Sequence, residues 1–404
     1  MISLSEAVDK IASISKTTST KMIPIENAIG YVCAKDIFAT YFMPRFDNSA
    51  MDGFAVFAQD GGQTIKVVGK ILAGEMCDIQ ISQGEAIKIM TGAVLPKGAT
   101  CVVPQEKVQI ISEDTILLPQ NLQKHANIRF AGEDIALGDL LVKKGQMINF
   151  AAITLLASQG ITHIEVYKKP IVAVFASGEE LKHHWDKIAD YQIYNSNTPT
   201  LMARCEELGC EVFFIASVRD NLPSIKEAIA HSLNADILIT SGGVSVGEAD
   251  FTKKAFEELG FETIFSKVAI KPGKPVTFGK MKNTYVLNLP GNPLASSLVF
   301  EVLGRLLINK ISGRSEIFAS AMLAKLKTSL KSGDVHEVVP GYFDGEFFEP
   351  TKKRSPGMIN VLSKCNSYII IKDTATKLEE MSIVKVISFD FSLLSSEKRE
   401  ICSC

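Results

Sequence analysis

Residues 240–250 hold the densest chemistry in this chain: Thr240-Ser241-Gly242-Gly243-Val244-Ser245-Val246-Gly247-Glu248-Ala249-Asp250. Three glycines, two serines and two acids stand between an apolar run, Ala235-Asp236-Ile237-Leu238-Ile239, and a helical pattern over residues 250–259. Glycines let a backbone approach a phosphate closely, and a helix start offers bare N–H groups to an anion. An acid beside a phosphate site repels the ligand unless a cation lies between them. The loop therefore points to a phosphorylated ligand bound with Mg²⁺.

Three further elements carry similar polar groups at a strand end or helix start. They are Ser177-Gly178-Glu179-Glu180, then Asn195-Ser196-Asn197-Thr198, then Asn288-Leu289-Pro290-Gly291-Asn292-Pro293. In the last, Asn292 reads as the cap and Pro293 as the first helical residue. The His-His-Trp run 183–185 reads as a solvated helix face. Plain helix capping explains any one of the polar elements. Four in one segment point to a ligand gathered at one sheet edge, with exposed backbone N–H groups at each element. Lys271-Pro272-Gly273-Lys274-Pro275 adds two ammonium groups on a loop whose prolines fix φ, which suits a small oxyanion. Asp220 follows another strand and reads either as a group at the same edge or as a helix cap.

Earlier in the chain, residues 44–54, 90–93 and 131–135 form polar knots that turn chemistry alone would explain. They contain Asp52, Thr91 and Asp134, and spacing alone does not unite them. The six histidines show no metal or triad spacing, so Ser-His-Asp hydrolysis has no support.

These residues need scaffolds, and the chain changes character several times. Residues 1–45 and 147–168 read as a discontinuous N-terminal domain with helices near both of its ends. Residues 46–146 read as an inserted β-rich domain of short strands between Gly, Pro and Asn turns. From 169 to 314, strands and helices alternate, which predicts an α/β domain around a central parallel sheet with helices on both faces. Alternating stretches after 315 predict a C-terminal β domain running to 404. The fold class is thus a multidomain α/β protein.

Composition narrows the partners. At 404 residues the chain exceeds a single core, and a formal net charge of −2 offers no general attraction to nucleic acid or to an anionic membrane. Eight scattered cysteines without a CxxC pair read as reduced thiols, hence a cytoplasmic protein. The first twelve residues follow an amphipathic helix pattern rather than that of a secretion signal.

Taken in order, residues 46–53, 89–93, 132–134, 240–250, 271–275 and 289–293 resemble the MoeA family of molybdopterin molybdenumtransferases, which is similar to the gephyrin and plant E-domains. The resemblance runs over nearly the whole chain and is weakest after residue 315. It implies an elongated four-part protomer, a homodimer and a reaction in which adenylylated molybdopterin and molybdate give molybdenum cofactor and AMP with Mg²⁺. It also implies a cleft shared between subunits, with Asp52, Thr91 and Asp134 supplied by the second protomer.

Under that resemblance, Ser241, Gly242, Gly243, Ser245, Gly247, Asn195, Asn197, Pro290, Gly291, Asn292 and Pro293 hold pterin and phosphate groups. Glu180, Asp220 and Asp250 position Mg²⁺ or polar pterin groups, with Asp220 and Asp250 as the Mg²⁺ ligands. Lys271, Lys274 and Ser355 hold molybdate. No covalent protein nucleophile is expected, so catalysis is positioning and electrostatics. Small-molecule substrates are the expected partners, with the molybdopterin adenylyltransferase as a further one.

Departures from the family pattern include Glu179 where Asp is usual and Ala295 where Ser is usual. The stretch from Gly333 to Val338 lacks the usual arginine, and a single serine, Ser355, stands beside Lys352-Lys353-Arg354. The rival activities are adenylylation of molybdopterin and non-enzymatic pterin binding as a scaffold. Tungstate is a rival oxyanion.

Overall fold

A computed structural model describes residues 1–75, 78–215, 218, 221–242, 251–331, 333–372 and 377–389. The chain divides into two compact units. One comprises residues 1–35, 144–149 and 163–404, and the other comprises residues 36–143 and 150–162. The helix Phe150–Ser158, which the sequence reading grouped with the N-terminal residues, lies in the second unit.

The larger unit is built on a six-stranded sheet. Its order is Glu211–Phe214, Ile171–Ala176, Ile237–Ser241, Thr284–Leu289, Thr277–Met281 and Glu262–Ser266. The first four strands are parallel; Thr277–Met281 runs against them, and Glu262–Ser266, antiparallel to Thr277–Met281, runs with them again, so the expected parallel sheet is mixed at one edge. The antiparallel strand Thr277–Met281 arises because only two residues separate it from Thr284–Leu289, too few for a crossover.

Both faces are covered, as near-continuous apolar strands require. Val172, Val174, Ile237, Ile239, Leu287 and Leu289 face one core, where the helices Asn197–Glu207 and Pro293–Val299 contribute Leu201, Cys205, Leu294 and Leu298. Ala173, Phe175, Leu238 and Val286 face the other, against Ile225 and Ile229 of Leu222–Ser232 and Phe256 of Phe251–Glu258. The period of two along each strand thus sends alternate residues to opposite helix layers. The first helix, Leu4–Ala12, is closed by a reciprocal capping box between Ser3 and Glu6 and buries Leu4, Ala7 and Ile11 on the first of these cores.

After residue 315 the chain forms a closed barrel. His336–Phe343, Phe347–Pro350, Met322–Leu326, Ile383–Ser388 and Ser367–Ile371 pair in sequence, and the last returns to the first. The short strand Ile270–Lys271, from the lysine loop, joins this barrel parallel to His336–Glu337.

The second unit carries its own six-stranded sheet, ordered Cys101–Pro104, Gly53–Val56, Glu85–Ile89, Thr64–Ile71, Thr115–Leu117 and Gln109–Ser112. Phe54 and Val56 face one small core while Ala55 faces another. Gly53 is required by geometry, since a Cβ there would lie 2.1 Å from the Val103 carbonyl oxygen. Among the described residues no helix is long and apolar enough to cross a membrane.

Candidate active site

The parallel strands Ile171–Ala176, Ile237–Ser241 and Thr284–Leu289 end level with one another, Ala176 beside Ser241 and Ser241 beside Leu289. Chain leaving level strand ends creates a crevice at their carboxyl edge, where open α/β sheets bind ligands. Ser241 is buried at this edge, and Gly242 takes φ +95°, which favours glycine. A Cβ at Gly242 would also lie 2.9 Å from the Ser177 carbonyl oxygen, so the loop after residue 177 packs directly on it.

Asn197 ties three of the four predicted elements together. Its side-chain amide donates to Ser241 Oγ at 2.7 Å and to the Gly291 carbonyl at 2.7 Å. Ser241 Oγ in turn donates to the Pro290 carbonyl at 3.2 Å. The Ser241 proton is thereby committed to a carbonyl, which argues against a serine nucleophile. One residue earlier on the same strand, Thr240 Oγ1 donates to Asn288 Oδ1 at 2.7 Å with both residues buried. Asn195 closes the start of the same helix, accepting from the Thr198 N–H at 3.1 Å and donating to Thr198 Oγ1 at 2.9 Å. The fourth element contributes Glu180, whose two carboxylate oxygens sit against Gly178, 2.9 Å from where a Cβ there would lie.

The Asn292 element differs from its sequence reading. Asn292 occupies the cap position of Pro293–Val299, but its side chain makes no capping bond. The N–H groups of Leu294 and Ala295 donate instead to the Pro356 carbonyl, at 2.9 and 3.3 Å. The loop carrying Ser355 therefore occupies this helix start, and those two donors are spent on protein rather than ligand. Pro293, Asn292 and Gly291 stay at the crevice, the last two exposed.

The lysine loop is anchored by the barrel. Lys271 Nζ lies 3.8 Å from Glu337 Oε2, and Arg354 Nε donates to Glu337 Oε1 at 3.2 Å. Glu337 is nearly buried, and it holds Lys271 and Arg354 on one carboxylate. Arg354 is thus an ordered partner of Glu337, while Lys352 and Lys353 are exposed. Lys274 is exposed, its carbonyl accepting from Val268 N–H at 3.0 Å. Gly273 adopts φ +109°, and a Cβ there would meet Val299 Cγ2 at 2.1 Å, so the turn between the two lysines is built for glycine.

Within the second unit, the structure brings Asp52 and Thr91 together. Thr91 donates both its N–H and its hydroxyl to Asp52 Oδ1, each at 2.7 Å. The hydroxyl bond first, then the N–H bond, holds the Asp52 carboxyl below its usual range. Asp134 is exposed, its N–H donating to the Met43 carbonyl. Gly243, Ser245, Gly247, Asp250 and Asp220 lie outside the described residues.

Sequence reasoning missed the Asn197 junction, the Pro356 carbonyl and the Glu337–Arg354 pair. Each joins residues far apart in the chain, and no local spacing announces them. It also misplaced His183, His184 and Trp185. They lie on a turn after the short strand Leu181–Lys182, not on a helix, and His183 and Trp185 stack with ring centroids 4.5 Å apart.

Known proteins resemble this chain in sequence and in fold. Residues 2–160 match a family model described as MoeA N-terminal region (domain I and II), and residues 173–310 match one described as a probable molybdopterin binding domain. A molybdopterin molybdenumtransferase from Haemophilus influenzae is 38% identical over 320 residues, 78% of this chain and 79% of that protein. One from Staphylococcus aureus (strain MRSA252) is 37% identical over 333 residues, 80% of this chain and 79% of its own length. A solved molybdopterin biosynthesis moea protein from Pyrococcus horikosii aligns with TM-score 0.84 and 31% identity, covering 96% of this chain and 99% of that one.

Proposed function

This chain belongs to the molybdopterin molybdenumtransferase family, and from that premise we propose the finer reaction and the residues that carry it. The protein is a transferase that inserts molybdenum into molybdopterin. The proposed form of the substrate is adenylylated molybdopterin. Molybdate supplies the metal, AMP leaves, and molybdenum cofactor is the product.

The observation that carries this reading is the Asn197 junction. One amide fixes the Ser241 and Gly291 loops against each other at the carboxyl ends of the strands. A crevice held rigid by satisfied side chains positions a phosphorylated pterin without reorganising when it binds. Ser241, Gly242, Asn195, Asn197, Pro290, Gly291, Asn292 and Pro293, with Gly243, Ser245 and Gly247, form the proposed pterin and phosphate site. Lys271, Lys274 and Ser355 are the proposed molybdate ligands, two cations suited to a dianion by charge-assisted hydrogen bonds.

Glu180 and the two acids outside the described residues, Asp220 and Asp250, form an all-oxygen donor set of the kind Mg²⁺ takes, with Asp220 and Asp250 as its ligands. When bound, Mg²⁺ neutralises charge on the pyrophosphate. The protein works as a cytoplasmic homodimer in this proposal, with Asp52, Thr91 and Asp134 of one copy completing the crevice of the other. The molybdopterin adenylyltransferase is its proposed supplier.

The test is AMP release from adenylylated molybdopterin with Mg²⁺, with and without molybdate. Molybdate-dependent release in the wild type, reduced at least a hundredfold in Asp250→Ala and Lys274→Ala, is the expected result. Tight binding without release would leave a scaffold and remove the enzymatic mechanism. Equal stimulation by tungstate would remove oxyanion selectivity from the proposal.

A further inference from the structure

Beside the Asn197 junction lies a cavity of about 300 Å³ whose lining is mostly apolar and aromatic. Trp185, His183 and Phe214 form its aromatic wall, and Pro199, Met202 and Ala203 of the helix Asn197–Glu207 form its floor. The first turn of that helix therefore reaches the strand-end loops through Asn197, while the residues just after it line the cavity.

The wall is ordered by contacts among its own rings. His183 and Trp185 stack at 10° between planes, His184 meets Trp185 edge-on, and Phe214 meets His183 edge-on. Trp185 is nonetheless 64% exposed, so the core does not require it. A fixed, exposed indole at the mouth of an apolar cavity offers a flat π-surface to a flat ligand. The volume stands at the lower end of small-ligand sites, which fits a single fused bicyclic ring. At the rim, the Glu206 carboxylate can accept from an exocyclic amino group. His183 also lines a second cavity of about 420 Å³, with Glu179, Lys182 and Asp186 on its walls. A ring in the first cavity would thus have a polar chamber beside it, whose two acids and one lysine suit hydrogen-bond donors rather than an anionic group.

We propose that the Trp185 cavity binds a planar nitrogen heterocycle bearing an amino group. This deepens the proposed function and rests on it for the source of the ring, which is either the nucleobase of AMP or the pterin.

Trp185 is the single tryptophan of the chain, so its fluorescence reports the cavity directly. The full-length protein would be titrated separately with AMP and with pterin-6-carboxylate, following Trp185 emission and confirming affinity by equilibrium dialysis. Saturable quenching by AMP assigns the nucleobase, and saturable quenching by the pterin alone assigns the pterin. Either result supports the cavity. By dialysis, Trp185→Ala should weaken binding of that probe about tenfold, the size of one lost stacking contact. Ala203→Phe, on an exposed helix position, should fill the cavity and abolish binding, with circular dichroism confirming the fold. No saturable change with either probe, or binding unaltered in both variants, would overturn the proposal. Molybdate-dependent AMP release alongside that outcome would leave the reaction standing. Saturable binding without AMP release would uphold the cavity and remove the reaction.

Discussion

The two units hold their functional groups in opposite ways. At the strand-end crevice, polar side chains are largely satisfied by the protein itself, with Asn197 bound to Ser241 and Gly291, and Thr240 to Asn288. In the second unit the candidate residues are exposed, and the Asp52 carboxylate is oriented by Thr91. A network that spans several elements cannot be altered at one point without moving the others. An exposed carboxylate locked by one neighbour is a local device on a separate scaffold. The contrast teaches that the crevice is set by global packing, whereas the Asp52 site is set by a few residues around Gly53.

The sharpest way to break the second scaffold is Gly53→Ala. A methyl 2.1 Å from the Val103 carbonyl forces the strand Gly53–Val56 away from the edge strand Cys101–Pro104. The expected cost is about 2–3 kcal/mol, read as a lower-temperature transition in calorimetry. If the two scaffolds are separate, a second transition belonging to the larger unit stays where it was. A single shifted transition would show that they unfold together.

Asn197→Ala strikes the other side of the comparison. It leaves the Ser241 hydroxyl and the Gly291 carbonyl without their donor, for about 1–3 kcal/mol in unfolding experiments. Loss of crevice geometry should lower AMP release at least tenfold. Unchanged turnover would show that the junction serves folding only.

How much of this was legible in the sequence divides along the same line. The alternation of strands and helices over 169–314 was readable because a buried strand is a continuous apolar run, and the start at Pro293 because proline marks a first helical turn. The order of loops around the crevice followed from the alternation of strand and helix. What was not legible depends on distant pairing. The strand Ile270–Lys271 is too short to announce itself and exists because His336 and Glu337 pair with it. The Pro356 carbonyl reaches Leu294 and Ala295 from more than sixty positions away. The mixed edge of the sheet follows from the two-residue turn before Thr284, which signals a hairpin only once both flanking strands are recognised.

Thr91→Val gives a smaller and more local effect. It removes the hydroxyl bond, the larger cause of the lowered Asp52 pKa, and keeps the N–H bond. Because the folded-state pKa is depressed, stability linked to this group is present above the ordinary carboxylate pKa of about 4 and disappears as pH falls through the folded value. The variant should raise the Asp52 midpoint in NMR titration and narrow that acid window, while the Asn197–Ser241–Gly291 hydrogen bonds are unaffected. A midpoint that does not move would show that the N–H bond alone sets the carboxyl.

The quietest test reads local opening in each unit separately. Burial pushes the Cys101 thiol up to about 11 and the Cys210 thiol to about 12, and raises Cys205 further in the same direction. All three are buried, Cys101 in the second unit and Cys205 and Cys210 in the larger one. At neutral pH such thiols react with maleimide only when their surroundings open, so the labelling rate measures the opening free energy of each core. Wild-type protein should label negligibly at all three. Gly53→Ala should accelerate Cys101 alone, by about thirty- to a hundred-and-fortyfold for the 2–3 kcal/mol expected above. Asn197→Ala should accelerate Cys205, which lies on the same helix as the lost amide, and leave Cys101 unchanged. Equal acceleration of Cys101 and Cys205 in either variant would mean that the two scaffolds open as one. The contrast between a globally packed crevice and a locally set Asp52 site would then have to be abandoned.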